Sequence, residues 1–113
     1  MNLLFQPGNT RTTAGLDRMI EARLIALAER LRVDEAVVRL NDHREASPRY
    51  TAYISLRVPG PDIHAVVCDH TLRVAVAKAL AAVERQVTAR RERRLRRRRA
   101  TKPVAGSGSG RNR

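Results

Sequence analysis

The chain has 113 residues, enough for one domain of ordinary size and too few for two, and its single cysteine excludes an internal disulfide. Its formal net charge of +12 is uneven, because residues 84–113 carry eleven Arg and one Lys against two Glu, a net +10, which leaves +2 for the first 83 residues. A nearly neutral body with a cationic end indicates a partner that carries phosphate, either nucleic acid or anionic lipid.

The first half of the chain predicts a strand, a helix and a second strand. The apolar run at residues 3–5 is stopped by Pro7-Gly8-Asn9, which predicts a brief strand and a turn. Thr13 can cap a helix over about residues 14–31, because apolar residues recur there every three or four positions on one face. Residues 34–43 contain two valines and a leucine, which favours a strand.

The second half predicts a hairpin and a long helix. Residues 50–58 alternate between apolar and polar side chains, which is typical of a strand with one buried face. In a strand over residues 63–68, Ile63, Ala65 and Val67 would lie on one face and His64, Val66 and Cys68 on the other. The turn Pro59-Gly60-Pro61-Asp62 lies between these two segments, so we expect an antiparallel hairpin with one buried face. Thr71 can cap a final helix that begins apolar and becomes the arginine run, over residues 72–99.

These elements predict an α+β fold in the order β-α-β-β-β-α. Both helices have an apolar stripe and the sheet has one apolar face, so the simplest arrangement packs both helices on one face of a four-stranded sheet. We expect the folded domain to cover residues 1–95. Residues 96–113 are basic and end in a Gly- and Ser-rich segment, so they are expected to form a flexible tail.

The order and spacing of several segments resemble one protein family. The turn with Asn9, followed by Thr13 and Leu16, is similar to that family's first strand and helix start. Residues 58–65 are similar to its central turn and last strand, and Val83-Glu84-Arg85-Gln86-Val87 is similar to its final helix. The chain therefore resembles the short ribosome hibernation-promoting factors, also called ribosome-associated inhibitors or sigma-54 modulation proteins.

This resemblance implies binding in the messenger and transfer RNA channel of the small ribosomal subunit, so that translation stops in resting cells. It implies no catalysis, no cofactor and no small-molecule substrate, and we expect a monomer away from the ribosome. The chain departs from the family where Ala82 and Ala89 occupy positions at which lysine is frequent. The basic charge is therefore expected to lie mainly in the run that begins at Arg90.

Arginine suits phosphate because its planar fork donates paired hydrogen bonds and stays charged, although it reads no sequence by itself. Arg23 and Arg30 lie seven residues apart on one side of the first helix. They are either exposed charges paired with Glu21 or Glu29, or the wall of a groove with Arg85. The candidate RNA-binding residues are Arg23, Arg30, Lys78, Arg85, Arg90, Arg91, Arg93, Arg94, Arg96, Arg97, Arg98 and Arg99.

Lipid is the weaker phosphate-bearing partner. A helix on a lipid surface needs bulky apolar residues opposite its charges, and the arginine run offers only Leu95. No apolar stretch approaches the roughly 18 residues that a membrane span requires, and the N-terminus does not resemble a signal peptide. We therefore expect a cytoplasmic protein that does not bind membranes.

Other chemistry finds little support. His64, Cys68 and His70 would share one face of a straight strand, but their spacing fits no usual metal motif and a fourth ligand is not visible. Tyr50 and Tyr53 lack the interleaved aromatic pattern of a single-strand-binding platform. The sequence shows no glycine-rich phosphate loop and no catalytic triad order, so we do not expect an enzyme.

Two rival functions remain open. A general double-stranded RNA-binding module also contains the order α-β-β-β-α. The second rival is a regulatory domain that binds another protein, with an incidental basic tail.

Overall fold

The computed structural model describes residues 1–6 and 8–101, with side chains as far as residue 99. Its elements follow the predicted order β-α-β-β-β-α, and their bounds are β1 (Asn2–Phe5), α1 (Ala14–Ala28), β2 (Glu35–Asp42), β3 (Tyr50–Arg57), β4 (Ile63–Asp69) and α2 (Leu72–Thr101). Helix α2 thus includes residues 96–101 of the segment expected to be a tail. Residues 102–113 lie outside the described residues, so the flexibility of the tail stays a prediction.

The four strands form one sheet in the order β1-β2-β3-β4. Strand β1 runs parallel to β2, with Leu3 opposite Ala36, and a parallel pair needs a crossover connection, which α1 provides. The pairs β2–β3 and β3–β4 are antiparallel, with Ile54 opposite Val38 on one side and Ala65 on the other. The predicted hairpin of β3 and β4 is therefore confirmed.

Both helices cover the same apolar face of the sheet, as the sequence predicts. The alternate residues of β2, β3 and β4 that face the helices are buried, apart from partly buried residues near the ends of β3 and β4 such as Val67, while their neighbours on the open face are partly or fully exposed. The largest side chains that are essentially inaccessible to solvent are Ile20, Leu24, Leu27, Ile54, Leu56, Ile63 and Leu80. Burial of this apolar area is the main source of folding free energy.

The two predicted helix caps are confirmed. The hydroxyl of Thr13 accepts a hydrogen bond from the backbone N–H of Leu16 at 3.1 Å, and the hydroxyl of Thr71 accepts one from Val74 at 3.2 Å. Each cap satisfies a backbone donor that lacks an intrahelical partner in the first turn. The caps therefore fix where both helices begin.

Helix α1 ends at Ala28, three residues earlier than the sequence predicts. The backbone N–H of Leu31 still donates to the carbonyl of Leu27 at 3.1 Å, so one further turn follows the helix. The chain must then extend into β2, and this turn lets both Leu31 and Val33 remain buried while the direction changes.

A polar clamp joins the loop after β1 to the end of β2. The side chain of Asn9 accepts from the N–H of Asp42 at 2.6 Å and donates to its carbonyl at 2.8 Å. The carboxylate of Asp42, a residue that is 9% exposed, accepts two hydrogen bonds from Arg49 at 2.8 and 2.7 Å. The hydrogen bonding by Arg49 is the main cause that holds the pKa of Asp42 below its ordinary value.

We expect this clamp to make the protein less stable in acid. Folding lowers the pKa of Asp42 from its ordinary value of 3.8. The ionised carboxylate therefore stabilises the folded state fully above about pH 3.8, and this contribution is lost as the pH falls through the lower pKa of the folded state. Asp42→Asn should reduce stability at neutral pH and flatten the decline of the melting temperature between about pH 5 and pH 2. A series of thermal melts measures both effects, and an equally steep decline in the variant would contradict the assignment.

The core and the arginine-bearing end of α2 should differ sharply in their contribution to stability. Leu80→Ala removes a side chain that is 0% exposed and should cost about 2–5 kcal/mol of unfolding free energy. Leu95→Ala is the matched control on the same helix, where the side chain is 37% exposed, and should cost about 0.5 kcal/mol or less. Urea denaturation measures both, and equal losses would be inconsistent with this core.

Candidate nucleic-acid interface

The buried stripe of α2 becomes cationic without changing its spacing. Its apolar residues are fully buried and are separated by four, three and four positions: Val76, Leu80, Val83 and Val87. Three exposed arginines continue the stripe, again at spacings of four, three and four, and they are Arg91, Arg94 and Arg98. Since residues at these spacings share one side of a helix, these arginines lie on the side of α2 that packs into the core.

The connection between α1 and β2 lies opposite this arginine stripe. Together they form a cleft of about 330 Å³, which we call the arginine notch. It contains five arginines, one acidic residue and three apolar residues, namely Arg30, Arg32, Arg91, Arg94, Arg98, Glu29, Ala28, Leu31 and Leu95. The notch therefore combines a strongly positive lining with a small apolar surface.

Arg23 and Arg30 both lie beside α2. Arg23 donates two hydrogen bonds to the carboxylate of Glu84, one of them from Nε at 3.1 Å, and both side chains are about a third exposed. Arg30 donates from Nη2 to the hydroxyl of Thr88 at 2.6 Å. Arg85 is exposed and lines a shallow depression of α2 that also includes Glu84 and Thr88. The acidic partner of Arg23 is thus on the other helix, not at Glu21 or Glu29.

Arg90 fastens α2 to the turn between β3 and β4. Its Nη1 donates to the backbone carbonyls of Pro59 at 3.3 Å and Pro61 at 2.6 Å. Gly60 lies between these carbonyls with a φ of +88°, a conformation that favours glycine. Gln86 likewise donates to a backbone carbonyl of β4 at 2.9 Å. Arg90, which the sequence presents as a phosphate ligand, therefore positions the arginines that follow it.

Lys78 is engaged in an ion pair at the other end of α2. Its Nζ lies 2.7 Å from a carboxylate oxygen of Asp69, and this hydrogen bond is the main cause that lowers the pKa of Asp69. The predicted site residues thus divide into those that bond to other parts of the protein and those that do not. Within residues 1–6 and 8–101, the predicted residues without an ion pair or hydrogen bond are Arg85, Arg91, Arg93, Arg94, Arg96 and Arg99.

The structure does not assemble the histidines and the cysteine of the sequence pattern. His70 follows the end of β4, and the thiol of Cys68 lies 3.4 Å from the hydroxyl of Thr51. In the part of the chain that is described, no group of three or more His, Cys, Asp or Glu side chains could hold a metal ion. No described helix has both the length and the apolar character required for crossing a bilayer.

Two features of this interface are not predicted from the sequence. The notch has a detectable signal, because Arg91, Arg94 and Arg98 continue the spacing of the apolar stripe, but Arg32 joins it only through the fold. The anchoring role of Arg90 has no local signal, since the carbonyls it binds lie 29 and 31 residues away in sequence.

These features define a small α+β protein that carries a cationic helix suited to a polyanion. The family model of the sigma 54 modulation protein / S30EA ribosomal protein matches residues 5–95. The chain therefore belongs to this family, which confirms the resemblance found in the sequence. As a member of this family, it is a ribosome-associated protein of the hibernation and modulation type.

Several solved structures share the fold, and two of them are a Thermus and a Coxiella protein. The N-terminal domain of protein Y from Thermus thermophilus aligns with a TM-score of 0.59 and 24% identity, covering 77% of this chain and 96% of that one. A ribosomal subunit interface protein from Coxiella burnetii aligns with a TM-score of 0.59 and 12% identity, covering 80% of this chain and 96% of that one. At these identities the likeness establishes the fold alone. No individual curated protein matches the chain.

The anchoring role of Arg90 predicts a stability effect that its neighbours lack. Arg90→Ala removes the donor to two backbone carbonyls and should cost about 1 kcal/mol of unfolding free energy. Arg93→Ala removes the same charge from an exposed position of the same helix and should change stability by less than about 0.5 kcal/mol. Urea denaturation of the two variants checks the difference, and equal effects would show that Arg90 does not anchor the helix.

Proposed function

We propose that the protein binds the small ribosomal subunit in the channel for messenger and transfer RNA and thereby represses translation. The observation that carries this proposal is the family match over residues 5–95, which supports association with the ribosome. The position of the charge supports ribosomal RNA as the contacted surface, since +10 of the net charge lies in residues 84–113. In this proposal residues 1–95 are the occluding body and residues 96–113 add electrostatic grip.

The geometry suits binding without catalysis. The core holds α1 and α2 against the sheet, and Arg90 joins α2 to the β3–β4 turn just before the run of exposed arginines. The exposed arginines can then donate paired hydrogen bonds to phosphate oxygens along the RNA backbone. The folded body blocks the channel because it is too bulky to pass along the path that a single messenger strand follows. The protein acts in the cytoplasm as a monomer, and it needs no cofactor and no small-molecule substrate.

Sedimentation with purified ribosomal subunits tests the binding site. The protein should migrate with small subunits at physiological salt, should not migrate with large subunits alone, and should be displaced when messenger and transfer RNA fill the channel. It should also reduce translation of a reporter messenger. Excess duplex RNA should compete poorly, whereas strong competition would favour a general double-stranded RNA-binding module.

A peptide of residues 84–113 is the matched basic control, since it carries the same +10 without the folded body. It should adhere to ribosomes at low salt but should not block translation at physiological salt. If the peptide and the whole chain inhibit equally, the folded body is not the occluding element and the proposal is wrong. Binding to another protein would survive removal of residues 91–113 unchanged.

The electrostatic part of the binding predicts a steep dependence on salt. Each phosphate that the protein neutralises should contribute about −0.7 to −0.9 to the slope of log affinity against log salt. Removal of residues 91–113 should make that slope shallower, while Arg90 and the fold remain. Filter binding to small subunits over a range of salt concentrations measures the slope. A flat response in the whole chain would exclude phosphate contacts as the source of affinity.

A further inference from the structure

We propose that the arginine notch binds one unpaired nucleotide of an RNA strand, with its phosphate on the arginines and its base against the apolar lining. This inference rests on the proposed function and specifies the RNA structure that the protein prefers. In a duplex the bases are paired and stacked, so only the sugar-phosphate backbone can contact the notch. A single strand, loop or bulge can also place a base inside it.

The charges of the notch favour an anionic occupant. Arg91 and Arg94 are three residues apart on one side of α2, and like charges at that spacing destabilise a helix. Within the described residues, neither guanidinium has a protein partner, and the single acidic residue of the lining is Glu29. A phosphate between the two guanidinium groups would remove this repulsion.

Two further arginines of the notch already donate hydrogen bonds within the protein. Arg30 donates through Nη2 to the hydroxyl of Thr88 at 2.6 Å, and Arg32, whose side chain is 76% exposed, donates through Nε to the carboxylate of Asp34 at 3.0 Å. A guanidinium carries five N–H donors, so each group keeps donors for an anion. The bond to Thr88 restricts the Arg30 side chain, and a restricted donor loses less conformational entropy when it binds.

The apolar part of the lining distinguishes the notch from a simple phosphate grip. Leu95 is 37% exposed and lies in the cleft with Ala28 and Leu31, in the middle of an otherwise cationic segment. Bases of single-stranded RNA stack on guanidinium planes and pack against apolar surface. The volume of about 330 Å³ lies near the lower end of the roughly 300–1,000 Å³ found for small-ligand clefts. This is the scale of one nucleotide and not of a duplex.

Glu29 adds a hydrogen-bond acceptor to the same cleft. Its carboxylate can accept from the exocyclic amine of a base or from a ribose hydroxyl, neither of which is provided by phosphate. The lining thus contains donors for phosphate, an apolar surface for the base, and an acceptor for the base edge or sugar.

A pair of charge-matched variants tests the proposal. Arg91→Ala with Arg94→Ala removes two arginines that line the notch, while Arg93→Ala with Arg96→Ala removes two from the same helix that do not. The probes are a short labelled single-stranded oligoribonucleotide and a labelled duplex of equal length. Fluorescence anisotropy at one salt concentration measures the affinity of each variant for both probes. The notch pair should lose about tenfold more affinity for the single strand than the control pair, since base contacts add to the phosphate contact. Both pairs should lose affinity for the duplex equally.

Leu95→Gln provides a second variant without a change of charge. It should weaken single-strand binding several-fold and leave duplex binding unchanged, and circular dichroism should show the same helix content. Equal losses for both double variants on both RNAs would show that the notch contributes only charge. Displacement of the single strand by an equal concentration of free nucleoside triphosphate would also overturn the proposal, in favour of a free-nucleotide site.

The ribosome assay separates this result from the proposed function. If the proposed function fails, the unaltered protein will not migrate with small subunits at all. If only the notch assignment fails, the unaltered protein and the control pair will migrate with small subunits, and the notch pair will bind them as tightly as the control pair.

Discussion

The burial of one stripe of α2 determines the rest of the molecule. Leu80, Val83 and Val87 are fully enclosed, and this fixes the rotation of the helix about its own axis. Because an α-helix is stiff over a few turns, the same rotation sets where the arginines after residue 90 point. The hydrophobic core and the cationic surface are therefore two parts of one helix, and the packing of the first orients the second.

The polar contacts around α2 refine this arrangement. The bonds of Arg23 to Glu84 and of Arg30 to Thr88 join the two helices, and that of Arg90 to Pro61 joins α2 to the sheet. Partly exposed bonds of this kind contribute about 0.5–1.5 kcal/mol each, far less than the burial of the core. Their effect is to select one orientation of the charged segment.

The separation between a nearly neutral body and a cationic end has a physical basis. Eight arginines within residues 90–99 repel one another. They cannot form part of a core, because burying unpaired charges costs too much solvation free energy. The apolar half of α2 supplies the packing that the arginine half lacks. Association of that half with a polyanion would relieve the repulsion, so binding and helix stability are coupled in the proposed mechanism.

The sequence alone determined the elements, both helix caps, the side of the sheet that is buried and the family. The elements, the caps and the buried face depend on spacing within about ten residues, as with Thr13 and Leu16, or on the alternation of residues 50–58. The family shows in the order of such segments along the chain. Only the tertiary structure decided that Asn9 clamps Asp42, that Arg90 binds the β3–β4 turn, and that the α1–β2 connection closes a notch against α2. These contacts join segments far apart in the chain, so no local pattern encodes them.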